Sequence, residues 1–373
     1  MHPLKLANNI SRLRHEKHVT QEALADFVGV TKASVSKWET EQSMPDIMIL
    51  PQLAAFFDVT IDELMGYEPQ LSHEQIQKIY YELAGKFANE PYDTVMAESR
   101  KLVKEYYSCY TFLFQICCLW LNHYNLAGDR QGEVLADIAD LCIHILENSK
   151  DIELCYDVKI FKATVDLLLG DADAVIDNME NIIRQCHMAV NSETALIQAY
   201  IMKQDMDKAM YSSQIGIYIH VMSIISCATK YLEVCADDMP RCEELIRRIC
   251  ALMDIFNMDK LHPNASALFF YNAAIIYCTH NNKDGAVEML EKYADELLEL
   301  LKTDEILLRG DSFFDHIEEW YKGMELGGKA PRDKKLIWAS AEESFEYQAF
   351  GILSGMEGFE KIKLRIKEAR KNG

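Results

Sequence analysis

Apolar positions recur at intervals of three and four along almost the whole chain. Leu6, Ile10 and Leu13 lie at i, i+4 and i+7, one stripe of a first helix. Thr20 has the side-chain oxygen to cap a second helix, Gln21 to Val28, with Leu24, Ala25 and Val28 inward. Gly29 supplies a turn through left-handed backbone, and Thr31 caps a third helix with Val35 and Trp38 inward. A fourth helix around Leu50 to Phe57 buries Leu53, Ala54 and Phe57. Thr60 and Glu63 have capping-box spacing and open a fifth helix that stops at Gly66.

Glu68, Pro69, Gln70 and Leu71 read as a linker, after which Ser72 and Gln75 repeat the capping box. From there to Gly373 no stretch alternates with the period of a strand. The expected fold is therefore all-α: a five-helix unit over residues 1–67, a linker over 68–72 and a helical region over 73–373. Aromatic residues and a polar turn recur in the second region. Tyr124 precedes Gly128-Asp129, Tyr200 precedes Gln204-Asp205, Tyr231 precedes Cys235, and Tyr277 precedes Asn281-Asn282. One helix hairpin cannot bury its apolar face alone, so such hairpins are expected to stack as an α-solenoid. At the end, Gly327 to Lys335 reads as a loop, Leu336 to Leu353 as an aromatic-rich helix and Phe359 to Arg370 as a final amphipathic helix.

Charge changes the picture of the first unit. The whole chain carries −21. Up to Lys37, however, the cations Lys5, Arg12, Arg14, Lys17, Lys32 and Lys37 outnumber the anions Glu16, Glu22 and Asp26. From Trp38 to Tyr67 there are six anions and no cation. A cationic face confined to the first three helices suits phosphate contact, and the acidic remainder would restrict binding to one orientation. The 11 cysteines include no C-x-x-C pair, and their spacings of seven or eight around Cys227, Cys235, Cys242 and Cys250 read as core packing. No metal or cofactor is expected. Neither the phosphate-binding glycine loops nor the zinc-protease and serine-hydrolase motifs occur, so an enzyme is not expected. No apolar run behind a basic start and no uninterrupted membrane span is apparent, which gives the expectation of a cytoplasmic protein with no membrane partner.

Lys5 to Gly66 resembles the XRE-type helix-turn-helix domains of the Cro/lambda-repressor class. The resemblance is carried by Leu13-Arg14, Thr20-Gln21, Leu24-Ala25, Gly29-Val30-Thr31, Val35-Ser36, Trp38-Glu39, Pro45, Leu53-Ala54, Phe57-Asp58-Val59 and Asp62-Glu63-Leu64. It implies double-stranded DNA as a partner. The start of the third helix would meet base edges, which makes Thr31, Lys32, Ala33, Ser34, Ser36 and Lys37 the candidate readers. Gln21 would hold a phosphate and brace the third helix, while Arg12, Arg14 and Lys17 are candidate phosphate contacts. His18 and Glu41 stand where the class often has glycine.

Leu268 to Tyr293 resembles a tetratricopeptide repeat at Phe270, Ala274, Tyr277, Ala286 and Leu290. The combination is similar to the RRNPP peptide-pheromone receptors, transcriptional regulators of Gram-positive bacteria. That resemblance implies a homodimer whose solenoid senses a short peptide, with docking of a partner protein as the alternative. Amides can donate and accept at once, so Asn122, Gln198 and Asn272, with Tyr271, are the candidate ligand-binding residues.

Overall fold

A computed structural model describes residues 5–67, 70–185, 192–303 and 305–372. The described chain is helical, with no strand beyond one antiparallel bridge, Leu307 to Lys329. Five short helices come first: α1 (Leu6–Glu16), α2 (Gln21–Val28), α3 (Lys32–Glu39), α4 (Leu50–Phe57) and α5 (Ile61–Met65). They enclose their own core of Leu6, Ile10, Leu24, Val35, Trp38, Leu53, Phe57 and Leu64. The hydroxyls of Thr20, Thr31 and Thr60 accept the expected amide hydrogen bonds at the starts of α2, α3 and α5. Gly29 has φ +72° and Gly66 has φ +65°, as their turns require. Glu68 and Pro69 lie outside the described residues. Gln70 donates to the Ser108 carbonyl, and the Leu71 amide approaches the Cys109 sulfur.

The next helices are α6 (His73–Asn89), α7 (Tyr92–Glu105), α8 (Tyr110–His123), α9 (Gln131–Asn148), α10 (Ile152–Leu169) and α11 (Ala172–Gln185). A 3-10 segment, Tyr124–Arg130, separates α8 from α9. The core of this stretch is built on Tyr80, Phe112, Leu113, Trp120, Ile138 and Ile145, and the loop and helix residues Leu326 and Leu336 pack against it. Then come α12 (Ser192–Met202), α13 (Met206–Val234), α14 (Met239–Ile255), α15 (Met258–Leu261), α16 (Pro263–Thr279), α17 (Lys283–Leu300), α18 (Ile317–Gly323), α19 (Lys334–Ser344) and α20 (Glu357–Asn372). A second core runs from Tyr218 on α13 to Ile366 on α20, with Phe269, Leu290, Phe314 and Phe350 deep inside it.

The polar turns fall where the repeat placed them. Gln204 (φ 61°) and Asn281 (φ 56°) adopt left-handed backbone, and Asp205, Asp238 and Asn282 cap the helices that follow. Behind the last turn the Tyr277 ring lies so close to Gly285 that a Cβ there would meet it at 2.9 Å, so any larger residue would have to displace the ring.

One expectation about an element needs correction. The segment Leu336 to Leu353 is not one helix: α19 ends at Ser344 and a 3-10 turn, Gln348–Leu353, follows. Among the described residues one helix is long and apolar enough, by length and composition alone, to match a membrane span. It is α13, 29 residues long, with a window of mean hydropathy 1.4. Its residues Tyr218, Val221, Ile225, Ala228 and Leu232 are buried in the second core. The cysteines divide as well: Cys235 and Cys242 are buried with their sulfurs 3.3 Å apart, whereas Cys227 is exposed.

Candidate nucleic-acid interface and helical cleft

The first unit presents the start of α3 at its surface. Thr31, Lys32, Ala33 and Lys37 are exposed, and Ser34 and Ser36 are half-buried beside the core residues Val35 and Trp38. The Thr31 hydroxyl accepts from the Ser34 amide and lies 2.9 Å from the Ser34 hydroxyl, which fixes the first turn. Lys32 stands 3.8 Å from Glu22, both well solvated, a loose pair that leaves the ammonium accessible.

What holds α3 against the rest is a buried polar cluster centred on Glu39. Arg14 donates from Nε to Oε1 of Glu39 at 2.6 Å and from Nη2 to Oε2 at 3.0 Å. Its Nη1 donates to the Val19 carbonyl at 2.9 Å. Gln21 donates to Oε2 of Glu39 at 2.8 Å. Burial works to raise the Glu39 carboxyl, but the hydrogen bonds from Arg14 and Gln21 outweigh it and hold the carboxyl below its ordinary range. One carboxylate thus ties the end of α3 to α1 and to the start of α2.

This arrangement corrects the expectation for Arg14. Its side chain is 9% exposed and both sides of its guanidinium fork are engaged, so it is not presented to a phosphate. Gln21 sits where a brace was expected. Arg12 is exposed and paired with Glu16 on its own helix, and Lys17 is exposed at the end of α1. Glu39 was not singled out from the sequence as more than part of a motif. The signal available was an acid directly after the inward Trp38, in a helix otherwise lacking anions. Met44, Ile47 and Met48, between α3 and α4, are also strongly exposed and were not anticipated.

The family model described as Helix-turn-helix matches residues 10–64. The amino-terminal unit is a helix-turn-helix domain. The transcriptional activator BcrR of Enterococcus faecalis is 32% identical over 88 residues, which is 22% of this chain and 43% of BcrR. The transcriptional regulator AnsR of Bacillus subtilis is 33% identical over 63 residues, 17% of this chain and 54% of AnsR. The chain therefore spans about half the length of these two relatives. Among solved structures, Bacillus thuringiensis PlcR in complex with the peptide PapR7 and DNA aligns over 80% of this chain and 95% of that one, at 15% identity and a TM-score of 0.33. Apo ComR of Streptococcus vestibularis aligns over 86% of this chain and 98% of that one, at 13% identity and a TM-score of 0.25.

Beyond the helix-turn-helix domain, the described structure holds a cleft of about 570 Å³ between α8, α16, α17, α19 and the loop before α19. Two of the four candidate ligand residues line it. Asn122 does so while donating to the Cys118 carbonyl, and Tyr271 does so with its hydroxyl bound to the Ser344 carbonyl at 3.0 Å. The other two lie outside its wall. Gln198 is exposed on α12 and is not part of the cleft wall. Asn272 donates to the Leu268 carbonyl of its own helix and also lies outside the wall. Arg332, from the loop that the sequence marked only as a loop, enters the cleft instead.

Proposed function

We propose that this chain is a DNA-binding transcriptional regulator whose helical region senses a ligand, a short peptide, and mediates dimerisation. The observation that carries the reading is the start of α3. It offers exposed Lys32, Ala33 and Lys37 with half-buried Ser34 and Ser36, on a helix locked in orientation by Glu39. Lysine can donate to guanine O6 and N7, serine pairs with several base edges, and a small alanine can touch a thymine methyl. Arg12 and Lys17 flank this surface and suit phosphate contact, which positions without specifying.

Dimerisation is supported by α13. Met210, Ile217, Ile224 and Tyr231 are each at least 40% exposed and fall every seven residues. A heptad stripe of apolar residues on an open helix face is the pattern by which helices pair. A twofold pair would then set two recognition helices on half-sites about 34 Å apart. Peptide sensing is supported by the cleft, whose size and mixed lining suit a small ligand. We take residues 1–67 as the DNA-binding part, 68–72 as the linker and 73–373 as the sensing and pairing part.

Salt titration of binding to duplex DNA tests the central element. Binding should weaken as salt rises, with a slope of about −0.9 for each phosphate neutralised. Lys32→Ala with Ser36→Ala should lower affinity for a preferred sequence at fixed salt and leave weak binding to bulk DNA. Unchanged preference in the double variant would remove α3 from the reading.

A further inference from the structure

The cleft between α16, α17 and α19 has an uneven chemistry. Much of its lining is aliphatic: Leu268, Leu297, Leu300, Ile306, Leu308 and Ile337. The same lining holds two cations, Lys329 and Arg332, in an otherwise acidic protein. Lys329 is already neutralised by Glu305 and lies over the Tyr81 ring. Arg332 is not: among the described residues it makes no ion pair, and its Nε is buried without a hydrogen-bond partner. Burial pulls the guanidinium below its ordinary range, the direction expected of a cation without a counter-ion.

The neighbours do not satisfy it. His123 is buried, its Nδ1 paired with the Leu119 carbonyl, and desolvation pushes its pKa down to about 4, so the ring is neutral near pH 7. Asp333 turns Oδ1 back to the Lys335 amide as the cap of α19. The tyrosine hydroxyls in the wall are spent on Ser344: Tyr271 on its carbonyl and Tyr293 on its hydroxyl. A guanidinium forms its strongest contacts with planar oxyanions, donating through two N–H groups at once.

We propose that the cleft binds a carboxylate carried at the end of an apolar chain, with Arg332 as its counter-ion and the aliphatic lining residues Leu297, Leu300 and Ile306 holding the chain. The proposal rests on the ligand-sensing reading above and names the ligand class for that site. The same chemistry is offered by the free C-terminus of an apolar peptide and by a fatty acid. The cleft volume suits a few residues, or one chain of about ten carbons, rather than a folded partner.

The test uses the full chain and three probes in ligand-retention measurements by native mass spectrometry. They are a library of N-acetylated apolar pentapeptides with free carboxylates, the same library as C-terminal amides, and decanoate. Retention of the free-acid library at least tenfold above the amides supports the peptide source. Retention of decanoate alone supports the proposal with a lipid source. Arg332→Gln should abolish the difference between acid and amide. Ser340→Phe, which narrows the cleft from α19 without altering Arg332, should reduce retention of every probe. Equal retention of acids and amides by the unaltered chain overturns the proposal, as does retention of none. DNA binding measured on the same preparation separates the two levels: salt-sensitive binding with no carboxylate retained sinks this proposal alone, and loss of both sinks the regulator reading too.

Discussion

Glu39→Ala offers the sharpest perturbation of the helix-turn-helix domain. The substitution removes the acceptor of three hydrogen bonds, two from Arg14 and one from Gln21. The Arg14 and Glu39 side chains are 9% and 6% exposed, so the stranded guanidinium has little access to water. Deleting one partner of a buried pair costs about 3–5 kcal/mol. Arg14 keeps its contact with the Val19 carbonyl, which places the expected cost at the lower end, about 3 kcal/mol. That corresponds to about two decades in a local opening equilibrium. Hydrogen exchange of the full chain, resolved to peptides, reads it directly. Amides of α1 to α3 should exchange about a hundredfold faster, while those of α16 and α17 stay unchanged. The double variant Arg14→Met with Glu39→Leu removes both charges and should recover most of the protection, because no buried charge is stranded. Acceleration of less than about threefold in Glu39→Ala would refute the reasoning that this cluster locks α3.

Four further outcomes follow from the same structure. The Glu39 carboxyl is held below the ordinary glutamate value of 4.5, so its contribution is complete above that pH and is lost as pH falls through the depressed folded value; exchange protection of α1 to α3 measured from pH 6 downward should fall there, and should do so less in the Arg14→Met, Glu39→Leu variant. His18 (φ 56°) and Glu41 (φ 60°) occupy left-handed backbone, so His18→Gly and Glu41→Gly should each stabilise the domain by about 1 kcal/mol in the same exchange measurement. Lys17→Ala should reduce the salt slope of DNA binding by about 1 without changing sequence preference. Ile217→Lys with Ile224→Lys should halve the sedimenting mass if the α13 stripe pairs two copies, and an unchanged mass would exclude that face.

The parts of this fold that were legible in the sequence are those fixed locally. Thr20, Thr31, Thr60 and Ser72 each need only a nearby amide, so capping geometry could be read from spacing alone. Arg14 was not legible for the opposite reason. It follows Leu13 on the edge of the inward stripe of α1, and only the position of Glu39, 25 residues away, decides whether its guanidinium faces water or protein. Of the four ligand-residue expectations, Asn122 and Tyr271 line the cleft and Gln198 and Asn272 lie outside it. Asn122 and Arg332 are 210 positions apart and line one cleft, a proximity no local pattern encodes. Arg332 was hidden further by lying in a loop, where composition signals a turn and nothing about the direction of a side chain.

The central claim is that the start of α3 reads base sequence. Selection of bound duplexes from a random DNA pool, at fixed salt and with the full chain, tests it most directly. The account predicts an enriched motif made of two half-sites about one helical turn apart, with preference at particular half-site positions lost in Lys32→Ala, Ser36→Ala. No enrichment over the input pool, or an enriched motif left intact by that double variant, would contradict it.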